Sequence, residues 1–264
     1  MISLAHIAHW RSTQAPWASQ AHVEQDLILS RSLVELFANP MVSELVALRG
    51  GTALNKLFFE RHSRFSEDID LVQTTPADNG PLIDAIRRTL DPLFGTPPKR
   101  RIGEGLTTLI YRYTSNDGMP LKLKVETNTR EHQSLFPREQ HSFAVDSPWF
   151  VGESKIQTYN LEELLGTKLR ALYQRKKGRD LYDLWAVAQE HKIDPKRVIT
   201  AFQHYASQQG VVIRRNDFAK NLDLKLSDRA FCADIIPLLR SGVDYKAESA
   251  AEWFRGSFLA LMSN

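Results

Sequence analysis

LRGGTALNKLFFERHSRFSEDIDLV, residues 48–72, is the stretch whose reading decides the fold. It opens on the glycine pair Gly50 and Gly51 and continues into Leu54, Leu57 and Phe58 at helical spacing. It ends where Asp68 and Asp70 alternate with Ile69 and Leu71. Leu45 to Leu48 reads as a strand entering the glycines, so the order is strand, tight turn, a helix beginning near Thr52, then a second strand. Glycines at a strand-to-helix turn let the backbone approach a phosphate, and the free amides of a helix start attract its charge. The alternation puts both carboxylates on one face of the second strand. Two such carboxylates repel unless a cation joins them, and their oxygens suit Mg2+. A glycine pair alone also marks an ordinary turn, and a polar strand face alone is often simply solvated. Their combination points to a metal-binding, phosphate-handling centre.

Outward from this stretch, Val23 to Phe37 carries an apolar stripe at helical spacing with Ser30 inside it, and Asn39 and Pro40 stop that helix. Downstream, Leu82, Ile86 and Leu90 form the stripe of a helix over about 81–90, ended by Pro92 and the turn from Gly95 to Pro98. Leu106 to Tyr113 and Leu121 to Thr127 read as a hairpin around Asn116, Asp117 and Gly118. In its second strand Leu121, Leu123 and Val125 face one way. Lys122, Lys124 and Glu126 face the other, which makes Glu126 a third carboxylate candidate. Residues 130–158 are mixed, with strand-like HSFAV and the aromatics Trp149 and Phe150.

From Asn160 the chain turns helical, with Asn160 as N-cap and Glu163 as its capping-box partner. Periodic apolar residues predict helices over about 161–175, 179–190, 195–209, 228–239 and 248–262. The expected class is α+β: a catalytic lobe, 1–158, with a mixed sheet flanked by helices, and a helical lobe, 159–264. No internal repeat or low-complexity linker separates them.

Lys168 falls inside the apolar arc of Leu161, Leu164, Leu165 and Leu172 at about 100° per residue, and Arg175 follows on the same stripe. Inward cations need anionic partners, here expected as phosphates or as carboxylates of the first lobe. In KKGRDLYDLW, Asp180 and Asp183 lie on the flank of the next helix, able to reach the same cleft or, for Asp180, to stabilise the helix start. Lys176, Lys177 and Arg179 form a small basic patch, a weak candidate for polynucleotide phosphates.

The 264 residues carry a formal charge of +3, so any nucleic-acid site must be local rather than a property of bulk charge. The single cysteine, Cys232, rules out an internal disulfide and a cysteine-rich zinc site, and fits a reducing compartment. The start MISLAHIAHW has no basic leader with a long apolar run, and no stretch approaches a membrane span. The expected location is cytoplasmic, with no membrane partner. The absence of GxSxG, P-loop and HExxH motifs removes support for a serine hydrolase, a P-loop NTPase and a zinc protease.

GGTALNK, SEDIDL, KVETNTRE and TKLRALYQRKKGRDLYDLW, in that order, resemble the AbiEii/AbiGii-type nucleotidyltransferases, the toxins of type IV abortive-infection toxin–antitoxin systems, which include the MenT toxins. The resemblance covers about 25–190. Its glycine pair and DxD are also the signature of the wider DNA polymerase β-like superfamily.

The resemblance implies Gly50, Gly51 and Thr52 at the nucleoside triphosphate, with Lys56 nearby and Ser66 just before the acidic pair. In some relatives that serine is phosphorylated for neutralisation. Asp68 and Asp70 would hold Mg2+, or Mn2+, with Glu126 at the third acidic position, where an aspartate is usual. Lys168 matches the lysine thought to engage triphosphate, and Asp180 and Asp183 match the last motif. The implied activity is transfer of NMP from an NTP to the 3′ end of RNA, above all the tRNA acceptor stem, blocking translation and arresting growth. The implied partner is a cognate antitoxin encoded nearby. Two alternatives stay open: a small-molecule or protein hydroxyl as acceptor, and a catalytically silent module that binds RNA or a partner.

Overall fold

The structure, a computed structural model, describes residues 2–263. Three helices lead the chain: α1 (Leu4–Thr13), α2 (Gln20–Ala38) and α3 (Pro40–Leu45). Asn39 and Pro40 do end α2, but they also begin α3. The Asn39 side chain accepts from Met41 N at 3.1 Å, and Pro40 takes the first helical position, where its missing N–H costs no bond. The predicted strand therefore starts one residue late, as β1 (Val46–Arg49), followed by α4 (Gly50–Leu57), β2 (Asp68–Gln73) and α5 (Gly80–Phe94).

Pro92 does not end α5. It forfeits one backbone bond near the exposed end, and the helix runs on until Gly95, whose φ of 68° turns the chain into the left-handed region. Five strands follow: β3 (Lys99–Gly103), β4 (Leu106–Thr114), β5 (Pro120–Asn128), β6 (Glu139–Ser147) and β7 (Phe150–Thr158). The hairpin β4–β5 forms as the sequence predicts. Strand β3 is absent from the sequence reading because KRRIG is exposed throughout and has no burial alternation.

The seven strands form one mixed sheet in the order β3-β4-β5-β2-β1-β7-β6. Strands β2 and β5 pair in parallel, as do β1 and β7, and the other pairs are antiparallel. One face of the β2–β5–β4 region presents Ile69, Val125, Leu123, Leu109 and Tyr111, all buried. Helix α5 covers it there, with Phe94 stacked on Tyr111 and Asp91 accepting from the Tyr111 hydroxyl at 2.8 Å.

The second unit comprises Asn160 onward together with Leu135–Pro137. Its helices are α6 (Leu161–Gln174), α7 (Gly178–Glu190), α8 (Pro195–Ser207), α9 (Arg215–Leu226), α10 (Arg229–Ala233) and α11 (Ala247–Ser257), with single 3-10 turns at Ile236–Leu238 and Leu259–Leu261. The predicted helix over 228–239 is thus broken into a short helix and a turn, with Pro237 in the latter. Helix α9 went unpredicted because its charged run hides a sparse stripe of Phe218 and Leu222. Phe218 is central to the core, in ring contact with Tyr173, Phe202 and Phe254.

The expected capping box at Asn160 is not formed. Glu163 is fully buried and accepts instead from the amides of Leu135 at 2.7 Å and Phe136 at 2.9 Å and from the Tyr205 hydroxyl. A buried carboxylate with three donors outcompetes a cap whose amides water can satisfy. This also explains why Leu135–Pro137 group with the helices.

Among the described residues no helix is long and apolar enough to cross a membrane. Helix α7 begins against α10 so closely that a Cβ on Gly178 would lie 2.0 Å from the Phe231 carbonyl oxygen. Gly178→Ala is expected to destabilise the protein by about 1–3 kcal/mol through this backbone clash. A lowered urea midpoint measures it, and an unchanged midpoint refutes the contact.

Candidate active site

The sheet register builds the acidic centre. Asp70 on β2 stands opposite Arg49 on β1 and Glu126 on β5, and Asp68 stands opposite Lys124. Register partners share a face, so Asp68, Asp70 and Glu126 project together with Lys124 among them. The Lys124 ammonium lies 2.8 Å from Asp68 Oδ2 and 3.3 Å from Glu126 Oε2, and Thr108 donates to Glu126 Oε1 at 3.3 Å. Burial, with the neighbouring Asp70 and Glu67 charges adding to it, pushes the Asp68 carboxyl up from 3.8 to about 6 even though Lys124 opposes the shift. Burial lowers the Lys124 ammonium, but Asp68, Glu126 and Asp70 outweigh it and hold the group above its ordinary value.

The glycine turn is fitted to this centre. Gly50 has φ of 79°, and a Cβ there would lie 2.1 Å from Asp70 Oδ2, so the backbone passes directly against the carboxylate. A Cβ on Gly51 would meet the buried Arg64 guanidinium at 2.3 Å. Thr52 donates to the Asp68 carbonyl, and its hydroxyl is 2.8 Å from that of Ser66. With the Thr52 proton committed, Ser66 is the donor between them. Gly50, Gly51, Thr52, Ser66, Asp68, Asp70 and Glu126 are therefore brought together.

Lys56 has a different partner from the triphosphate expected of it. Its ammonium bonds both Asp26 oxygens at 2.8 and 2.9 Å, with the side chains 2% and 1% exposed. Asp26 also accepts from the indoles of Trp10 at 2.9 Å and Trp17 at 3.2 Å. The sequence reading missed Asp26, though the signal was present: it lies on the α2 stripe, three residues after Val23 and four before Ser30. Arg49 and Arg64 were also missed. Arg49 reveals its face only through the register with Asp70, and there it pairs with Glu131.

The second unit gathers Lys168, Arg175, Asp180 and Asp183. The Lys168 ammonium is 2.8 Å from Asp183 Oδ2 and 3.3 Å from Asp180 Oδ1. Arg175 grips Asp180 with two bonds, at 2.6 and 2.7 Å. Burial would raise the Asp180 carboxyl, but Lys168 and Arg175 together hold it below its usual range. The expected partners in the first lobe are thus not needed for neutralisation: α7 supplies both carboxylates. Lys225 extends the cluster by donating to the Leu172 and Tyr173 carbonyls at the C-terminal end of α6. Burial lowers its ammonium to about 8. The patch of Lys176, Lys177 and Arg179 is neutralised internally, Lys176 by Asp228 and the other two by Asp234.

The oxygens of Asp68, Asp70 and Glu126 have the hardness a divalent cation requires. They are not drawn into a closed cage: among the described residues no three His, Cys, Asp or Glu side chains are grouped tightly enough to hold a metal, and Lys124 stands between Asp68 and Glu126. The raised Asp68 carboxyl marks a place where added positive charge is favoured.

A mixed sheet with a glycine turn against paired aspartates is the arrangement expected of a nucleotidyltransferase. Residues 31–254 match the family of nucleotidyl transferase AbiEii toxins of type IV toxin–antitoxin systems, and the chain belongs to that family. Among solved structures, the chain is similar to MenT4, a nucleotidyltransferase toxin from Mycobacterium tuberculosis, at a TM-score of 0.65 and 17% identity, covering 100% of this chain and 91% of that one. It is also similar to JHP933 from Helicobacter pylori, at a TM-score of 0.50 and 18% identity, covering 89% of each chain. At these identities the likeness is one of fold. A comparison with curated protein sequences gives no significant match.

Lys56→Ala leaves the Asp26 carboxylate buried without its cation, a loss of about 3–5 kcal/mol. A lower urea midpoint with unchanged NTP affinity is expected, whereas weakened NTP binding at full stability would return Lys56 to the nucleotide. Asp68 makes a second test in metal-free protein. A carboxyl raised from 3.8 to about 6 keeps its proton longer in the folded state, so its contribution to stability falls as pH rises through that window and is level above it. The carbon resonance of the Asp68 carboxyl should titrate near 6, move higher in Lys124→Gln and lower in Asp70→Ala. Equal midpoints in all three proteins would refute the charge balance.

Proposed function

We propose that this nucleotidyltransferase toxin transfers NMP from an NTP to the 3′-terminal hydroxyl of an RNA, with the tRNA acceptor end as the preferred acceptor. The modified tRNA would no longer be aminoacylated, translation would stop, and growth would depend on a cognate antitoxin. The observation that carries the reading is the register that lines up Asp70 with Glu126 while Gly50 presses against Asp70.

In this reading the amides at the start of α4 approach the phosphates, which only a backbone without Cβ at Gly50 and Gly51 permits. Asp68 and Asp70, with Glu126 beside them, would hold Mg2+ or Mn2+, and that ion supplies charge neutralisation and alignment of the α-phosphate. The acceptor oxygen bonds to the α-phosphorus, the bond from that phosphorus to the bridging oxygen breaks, and pyrophosphate leaves. Glu126 is the carboxylate assigned to receive the acceptor's proton. Lys124 keeps the carboxylates from repelling one another before the nucleotide binds. Thr52 and Ser66 fix the turn to β2, which sets the distance between backbone amides and carboxylates.

Lys168 and Arg175 enter the proposal as triphosphate-handling cations. Asp180 has two cationic partners, so it stays paired if one of them turns to an anion.

The test is incubation of purified protein with each α-labelled NTP, Mg2+ or Mn2+, and total tRNA. Label is expected on RNA 3′ ends, abolished when the terminal ribose is oxidised, and reduced at least about a hundredfold in Asp70→Ala. Label on protein or on small molecules would assign another acceptor. No label at all beside an active control enzyme would sink the reading.

A further inference from the structure

We propose that the acceptor's sugar–phosphate backbone lies along a basic track on the sheet formed by Lys99 and Arg101 of β3, Arg112 of β4 and Lys122 of β5. The inference rests on the RNA reading above and assigns a surface to it. The register supplies the placement. Arg101 pairs with Thr108, Thr108 with Glu126 and Glu126 with Asp70, so one cross-strand row runs from the edge of the sheet to the acidic centre. The next row runs Lys99, Ile110, Lys124, Asp68, and beyond it Arg112 pairs with Lys122. All four cations therefore share the face of Asp68, Asp70 and Glu126. At about 4.8 Å between strands, Arg101 is three strands and about 14 Å from Asp70.

What sets these cations apart is that they share one face of the sheet; exposed cations elsewhere in the unit, such as Arg88 and Arg100, lie off that face. Lys99, Arg101, Arg112 and Lys122 are exposed, and among the described residues none of them forms an ion pair. Protection of an edge strand would account for basic residues on β3, but β4 and β5 are interior strands. Arg112 and Lys122 stand directly opposite one another, an arrangement that costs stability when no counter-charge is present. A polyanion laid across the pair removes that cost. The face also offers little apolar surface for a protein partner: between the cations lie Thr108 and Ile110, each only 8% exposed, and the exposed apolar residue of this face, Leu106, stands at the margin of the track. A backbone of regularly spaced phosphates fits it better than a folded acidic protein.

The experiment compares wild type with a variant carrying Lys99→Gln, Arg101→Gln, Arg112→Gln and Lys122→Gln. Arg88→Gln serves as the control, because α5 lies on the opposite face. Binding is read by fluorescence anisotropy of a labelled single-stranded RNA oligonucleotide across a salt series. The log–log salt slope is expected to become shallower by about 0.7 per removed cation in contact with phosphate. In the transfer assay the KM for RNA rises at least tenfold, while kcat at saturating RNA and the KM for NTP stay at wild-type values. Unchanged slope and unchanged KM for RNA would overturn the track. So would retained RNA affinity with loss of binding to polyglutamate, which would assign the face to an acidic protein. If wild type labels no RNA but the quadruple variant still loses oligonucleotide affinity, the transfer reading fails and the track stands.

Discussion

Three carboxylates, Asp68, Asp70 and Glu126, stand on two neighbouring parallel strands, and one lysine ammonium lies among them. Like charges this close would drive the strands apart or take up protons; Lys124 offsets part of that cost, and burial, with the neighbouring Asp70 and Glu67 charges adding to it, still leaves the Asp68 carboxyl raised. The rest of the sheet unit can be understood from this constraint. Parallel pairing of β2 with β5 requires a long crossover, supplied by α5, β3 and β4. The hairpin β4–β5 then fixes which residue of β5 faces Asp70, and a slip of one residue would bury Glu126 and expose Val125. Gly50 follows from the same geometry, since Asp70 occupies the space of any Cβ.

Away from that centre, buried charges are paired within their own unit. Lys56 answers Asp26, Lys168 and Arg175 answer Asp180 and Asp183, and Glu163 collects two amides and a hydroxyl. Such pairs contribute little net stability once desolvation is counted, but removing one member is costly. Their effect here is positional. Asp26 fixes α2 to α4 with two tryptophan indoles as further anchors, and Asp180 fixes the start of α7 to the last turn of α6. On the exposed basic face of β3, β4 and β5, by contrast, Lys99, Arg101, Arg112 and Lys122 form no ion pair among the described residues.

Much of this was legible in advance, and the failures have physical causes. The strand–turn–helix at Gly50 and the strand at Asp68 were readable because glycine punctuation and strict alternation are local signals. The β4–β5 hairpin was readable for the same reason. Pro92 misled because a proline near a helix end costs only one bond, whereas Gly95 does the stopping. Helix α9 and strand β3 were hidden by charge, since neither displays the apolar period on which sequence reading depends. Glu163 had the right spacing for a capping box, but buried amides twenty-seven and twenty-eight residues upstream claimed it.

The sequence by itself determined the chemistry: which residue types stand at a glycine turn, which carboxylates share a strand face, and that an inward lysine in α6 must be neutralised. Periodicity and spacing are properties of a few neighbouring residues, so they survive without knowledge of the fold. Only the tertiary structure decided who neutralises whom. It placed Lys124 rather than a more distant cation between Asp68 and Glu126, gave Lys56 to Asp26, and gave Lys168 to Asp180 and Asp183. It also set Lys99 and Arg101 on the face of the acidic centre. Those choices depend on strand register and helix packing between residues far apart in the chain, and electrostatic pairing acts over a few ångströms of space, not over sequence.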